Sequence, residues 1–97
     1  MKFVQIIEFK TNRIDEFKDV LDAARAKSEG RTPHRVVHTK DRDTENLYAL
    51  ILEFPSQEKA MENSNRPESG ELAASLASLC DGPLMFRNLD LLREENV

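Results

Sequence analysis

The sequence predicts an α+β domain in which the elements follow in the order strand, helix, strand, strand, helix, strand. Three observations predict it. The runs Phe3–Lys10 and Leu47–Phe54 are rich in β-branched and aromatic residues and apolar on both alternating faces. Two longer stretches repeat apolar residues every three or four positions, which is the helical period. A polar segment, Lys40–Asn46, separates two strand-like runs at hairpin spacing. With 97 residues, the chain has enough material for one modest core and not for two.

In the first strand, Phe3, Ile7 and Phe9 share one face and Val4 and Ile6 the other, with Gln5 and Glu8 interrupting one face each. Thr11-Asn12 then supplies a turn, with Asn12 expected as the helix cap and Asp15 at the third helical position. The first helix is expected from about Arg13 to Ser28. Its apolar stripe is Ile14, Phe17, Val20, Leu21 and Ala24, and Gly30 is the expected terminator. From Pro33 the pattern alternates, so His34, Val36 and His38 fall on one strand face and Arg35, Val37 and Thr39 on the other. The third strand, Leu47–Phe54, is apolar on both faces except at Glu53.

Pro55-Ser56 stops that strand, and Ser56 is placed to cap a helix from Gln57. The helix falters at Asn63-Ser64-Asn65 and restarts at Pro67, a residue favoured in a first helical turn. Leu72, Ala73, Leu76 and Leu79 form its stripe, Gly82-Pro83 ends it, and Leu84–Leu92 reads as the fourth strand. Right-handed crossovers then give the ferredoxin-like β-α-β-β-α-β arrangement: a four-stranded antiparallel sheet with two helices on one face. The central strands are apolar on both sides while helices can cover one. An exposed apolar face of several hundred Å² is unusual in a monomer. The expected remedy is a homodimer, sheet against sheet.

Composition excludes several functions. The formal charge is −4, with both signs interleaved, so neither nucleic acid nor an anionic membrane is the expected partner. Lys40 and Arg42, alternating with Asp41 and Asp43, and Arg25 and Lys27, followed by Glu29, read as solvated surface. Asp15, Glu16, Lys18, Asp19 and Asp22 lie largely on the polar side of the first helix. No apolar run approaches the roughly 20 residues that cross a bilayer, and no apolar signal segment follows Met1, so a cytoplasmic protein is expected. The single cysteine, Cys80, ends an Ala/Leu-rich stretch and reads as a buried thiol.

The segment IIEFKTNRIDEF, a strand running into an Ile/Phe-striped helix, and the segment LILEFPSQEKAMENSNRPES, a strand running into a broken helix, carry a family likeness. With the two-sided apolar sheet, they make the chain resemble the dimeric α+β barrel superfamily, in its antibiotic-biosynthesis-monooxygenase-like branch. The run NSNRPESGELAASLASLCDGPLMFRNLDLL is also similar to uncharacterised bacterial proteins of this kind. The resemblance implies a small-molecule site for an apolar or aromatic metabolite, served by a cofactor-independent monooxygenase-like or isomerase-like activity with no cofactor. The alternative is a non-catalytic dimer with a ligand-binding, structural or regulatory role. Haem-degrading members use a histidine in the second helix and a tryptophan; this chain has neither, which disfavours that activity. Quinone-forming members use Asn, Trp, Tyr and Arg, of which Asn63, Asn65, Tyr48 and Arg87 supply three types.

The residues themselves offer further candidates. His34 and His38 stand about 13 Å apart at strand rise, too far to share one metal ion without a bend. His38 is a candidate general base, since imidazole titrates near neutrality. Glu53, like Glu8, interrupts an apolar strand and needs a partner, for which Arg87 on the last strand is the expected type. Such an ion pair belongs either to the sheet surface or to a polar spot in an apolar pocket. Asn65 or Arg66 would contact a ligand at the helix break, although capping of the next helix is the simpler role for Asn65. An enzyme would bring His38, Tyr48, Glu53, Asn65 or Arg87 together around one apolar cavity.

Overall fold

Strand β1 (Phe3–Lys10) leads into helix α1 (Ile14–Lys27), and strands β2 (Arg35–Lys40) and β3 (Leu47–Phe54) form a hairpin. Helices α2 (Gln57–Ser64) and α3 (Pro67–Ala77) precede the last strand, β4 (Met85–Asp90). These elements come from a computed structural model, which describes residues 1–27 and 33–97. The expected end of the first helix at Ser28 and its terminator Gly30 lie outside the described residues. The sheet is antiparallel in the order β2-β3-β1-β4. The two strands with apolar residues on both faces are therefore the central ones, as the pattern requires.

Register assigns the faces. The pairs Phe3–Phe54, Ile7–Leu50 and Phe9–Tyr48 join β1 to β3, and Leu52–Val36 and Leu50–His38 join β3 to β2. This face carries the core. Phe9, Leu50, Phe17 of α1 and Leu76 of α3 are buried together, with Ile14, Leu21, Leu72 and Leu79 packed around them. The Phe9 and Phe17 rings stack at 4.0 Å between centroids. Each such ring contributes about 1.5–3 kcal/mol by leaving water. Under α2 a second cluster joins Phe3, Phe54 and Ala60, so all three helices lie on one side of the sheet. The opposite face presents Val4, Ile6, Val37, Ala49, Ile51 and Leu89 to no helix.

The second helix breaks where expected: α2 ends at Asn63-Ser64-Asn65 and Pro67 opens α3. Three local expectations change. Asn65 closes α2, its N–H donating to the Met61 carbonyl at 2.9 Å, while the residue before α3 is Arg66, which makes no side-chain cap. At the start of α1 the turn is fastened by Thr11 rather than Asn12. The fully buried Thr11 hydroxyl accepts the Arg13 N–H at 2.9 Å and donates to the Leu79 carbonyl at 2.6 Å. Finally, His34 lies just before β2 rather than within it, its N–H donating to the Glu53 carbonyl at 3.0 Å.

Ser56 does cap α2, accepting the Lys59 N–H at 3.2 Å. The β2–β3 loop is closed by the Asp41 carboxylate, which accepts the Asp43 and Thr44 N–H groups. Asn46 leaves the loop in the left-handed conformation, φ 62°, which asparagine tolerates better than most residues. Gly82 takes φ 100° between α3 and β4, a conformation that needs glycine. No helix among the described residues is long and apolar enough to cross a membrane.

Candidate functional site

A cleft of about 280 Å³ opens between α1 and the β2 side of the sheet. Its apolar lining comes from Phe9, Leu50, Ile14 and Phe17, and its polar groups from His38, Tyr48, Thr39, Lys18 and Lys40. The local folding reasons are simple. His38 is directly opposite Leu50 on the helix-facing side of β2, and Tyr48 is opposite both Phe9 and Lys40. Tyr48 stacks on Phe9 at 5.7 Å between centroids, so its ring is held by the core while its hydroxyl end is free to be polar. Lys18 follows Phe17 and sits one turn after Ile14, which places it on the flank of the apolar stripe. A mostly apolar pocket with a few polar groups is the usual build of a small-molecule site. This volume, just below the usual range of about 300–1,000 Å³, suits a one- or two-ring molecule.

The residues expected to converge do so only in part. His38 and Tyr48 meet in the cleft. Glu53 does not: it lies on the open face of β3 and pairs with Arg35 of β2 at 3.2 Å. The expected partnership with Arg87 is therefore replaced by one across the hairpin, where residues 35 and 53 are directly opposed. Arg87 stands on the open face of β4, opposite Ile6. His34 is exposed at the start of the hairpin. Asn63, Asn65 and Arg66 gather at the α2–α3 junction, away from the cleft lining. There the Asn63 carbonyl accepts from the Ser69 hydroxyl and the Arg66 N–H, and Arg66 pairs with Glu68 at 3.6 Å.

Lys18 and Lys40 line the cleft as well, although the sequence pattern puts Lys18 on the polar side of the first helix and Lys40 among solvated charges. The available signal was positional: Lys18 borders the α1 stripe, and Lys40 follows His38 by two on the same strand face. Cys80 is half-buried beside the core, its Sγ donating to the Leu76 carbonyl. Burial, aided by the charge of Asp81, pushes its thiol up, which is the opposite of an activated nucleophile. A smaller groove of about 190 Å³ at the hairpin end is lined by Glu8, Asp41, Lys40 and Arg42 among others, and its charges of opposite sign offset one another. Among the described residues no group of three or more His, Cys, Asp or Glu is placed to hold a metal ion.

No family model matches the chain, and no curated protein matches it in sequence. Solved structures match it in fold. SnoaB, a cofactor-independent oxygenase from Streptomyces nogalater, superposes with a TM-score of 0.78 at 18% identity, covering 96% of this chain and 95% of its own. Rv0793 from Mycobacterium tuberculosis gives 0.78 at 16% identity, covering 99% of this chain and 100% of its own. An antibiotic biosynthesis monooxygenase gives 0.72 at 13% identity, covering 96% and 100%. At such identities the likeness concerns the backbone and assigns no chemistry. The chain thus has the ferredoxin-like fold of the antibiotic biosynthesis monooxygenase-like proteins.

Proposed function

We propose that this chain is a cytoplasmic homodimer that binds a small apolar or aromatic metabolite in the α1–sheet cleft and acts on it as a cofactor-independent monooxygenase-like enzyme. The observation that carries this reading is the cleft itself: an apolar lining backed by the core rings Phe9 and Phe17, with Ile14, His38 and Tyr48 at its accessible edge. His38 is the general base. It removes a proton from an acidic O–H or C–H of the bound ring, leaving an electron-rich anion. Dioxygen, the second substrate, adds at a ring carbon bearing hydrogen. The O–O bond breaks, one oxygen stays as a quinone carbonyl and the other leaves as water, with the ring supplying the electrons. Tyr48 orients the ring by stacking and by its hydroxyl. Glu53, Arg35 and Arg87 belong instead to the open face and to the contact between subunits. Asn63, Asn65 and Arg66 shape the α2–α3 junction.

The reaction class is taken from the resemblance in sequence pattern to the monooxygenase-like branch, and, with no carboxylate in the described cleft lining, His38 is the base best placed for it. The test is oxygen uptake with a panel of one- and two-ring phenols and hydroquinones, comparing the wild type with His38→Ala. Loss of a general base lowers turnover by about 10²–10⁴-fold, while ring binding, measured by calorimetry, is retained. Equal oxygen uptake by His38→Ala would remove the histidine from the mechanism. Binding without any oxygen uptake by the wild type would favour the non-catalytic ligand-binding alternative.

A further inference from the structure

The charges at the cleft are one-sided. The chain as a whole is acidic, with 18 Asp and Glu against 14 Lys and Arg. Yet the cleft lining contains Lys18 and Lys40, and among the described residues no carboxylate. The two lysines come from different elements, one from α1 and one from the end of β2, so the chain brings them to the same cavity only by folding. Neither forms a salt bridge with any described residue, although α1 alone carries Asp15, Glu16, Asp19 and Asp22. Asp41, next to Lys40, instead spends its carboxylate on the loop N–H groups of Asp43 and Thr44. The cleft therefore combines an apolar lining with two ammonium groups that form no salt bridge with a described residue.

We propose that the occupant of this cleft is an aromatic anion, a one- or two-ring molecule whose carboxylate or other acidic group is met by Lys18 and Lys40 while its ring lies against the half-buried Ile14 and Tyr48. This inference rests on the cleft being the ligand site and adds the chemical class of the ligand. Net charge does not oppose it. At physiological salt the screening length is about 8 Å, so acidic residues beyond that distance are largely silenced, and of the nearer ones Asp15 and Asp22 flank Lys18 along α1 without lining the cleft. Two exposed ammonium contacts at ordinary strength change affinity by about 5-fold. The ring burial supplies the rest of the binding, and the lysines select among rings.

The test uses two matched probes on the intact protein. One is 8-anilinonaphthalene-1-sulfonate, and the other is N-phenyl-1-naphthylamine, the same skeleton without the anion. Tyr48 is the chain's one tyrosine and there is no tryptophan, so quenching of tyrosine emission reports a bound probe, and sensitivity of the sulfonate's quenching to Lys18→Gln/Lys40→Gln places it in the cleft rather than on the open sheet face. The sulfonate is expected to bind more tightly than the neutral probe, with an advantage that shrinks in 0.5 M salt. Lys18→Gln/Lys40→Gln is expected to weaken the sulfonate about 5-fold and to leave the neutral probe unchanged. Equal affinity of the two probes for the wild type, or equal weakening of both by the double variant, overturns the anion preference while leaving the cleft as a binding site. Failure of both probes to quench Tyr48 overturns the cleft as a ligand site, and with it this inference and the proposed function together.

Discussion

At the scale of single residues, Thr11 has the clearest structural role. It is fully buried, and its one hydroxyl ties the β1–α1 turn to the segment leaving α3 through the Arg13 N–H and the Leu79 carbonyl. Thr11→Val keeps the shape and strands both partners, which costs about 2 kcal/mol and lowers Tm by roughly 8–16 °C for a domain of this size. Thr11→Ser keeps the hydroxyl and is expected to lose about half as much or less. Urea unfolding of the three proteins checks this, and a Thr11→Val variant as stable as the wild type would show that the hydroxyl is not the clamp. The residue was readable in the sequence only as part of a turn. Its importance depends on α3 arriving from nearly seventy positions away, and no local pattern encodes that. Glu53 shows the same limit from another side. Its need for a partner was legible, because a carboxylate interrupted an apolar run. Its partner, Arg35, followed from hairpin register rather than from residue type.

At the scale of elements, helix ends were legible where a side chain closes them locally and illegible where a distant one does. Ser56 before Gln57 is a local signal, and its hydroxyl does accept the Lys59 N–H. Removing it by Ser56→Ala is expected to cost about 1 kcal/mol, read as a lower urea midpoint with an unchanged slope, since the helix is frayed rather than the core exposed. A Ser56→Gly variant separates the effects, because glycine at a cap costs only a few tenths of a kcal/mol despite lacking the hydroxyl. Equal losses for Ala and Gly would place the effect elsewhere than in the cap. The break between α2 and α3 was equally legible, since Asn, Ser and Pro weaken a helix wherever they stand in its interior. The cleft was not. It forms because α1 packs through Phe17 on Phe9 of β1 and Leu50 of β3 and leaves a gap on the β2 side, which Lys18, His38 and Tyr48 line. Amphipathic spacing fixes which face of α1 turns inward without fixing the strands it lies over.

At the scale of the molecule, the sheet face without helices is the surface on which the proposed homodimer rests. Ile51 is its centre, flanked by Ile6 on β1 and Val37 on β2. Met85 and Leu89 on β4 widen the patch and are 56% and 39% exposed. Charged residues stand among and around it, Glu8 and Arg87 toward β4 and the Arg35–Glu53 pair toward β2. An apolar centre with polar groups at its margin is how interfaces are commonly arranged. A twofold axis through this face would cover the patch with its own copy, consistent with a domain too small to bury much surface alone. The wild type is therefore expected to scatter light as twice its 11.1 kDa chain mass. Ile51→Glu puts an unpaired carboxylate at the centre of the contact and should weaken dimerisation at least about 100-fold. Because Ile51 points away from the helices, the far-UV spectrum of that variant should keep its native shape. Leu50→Glu, one residue earlier and 4% exposed under the helices, should instead lose the fold. The pair of variants separates the two faces of one strand: a dimeric Ile51→Glu, or a monomeric wild type at micromolar concentration, would mean that the open face is covered by something other than a second copy of the chain.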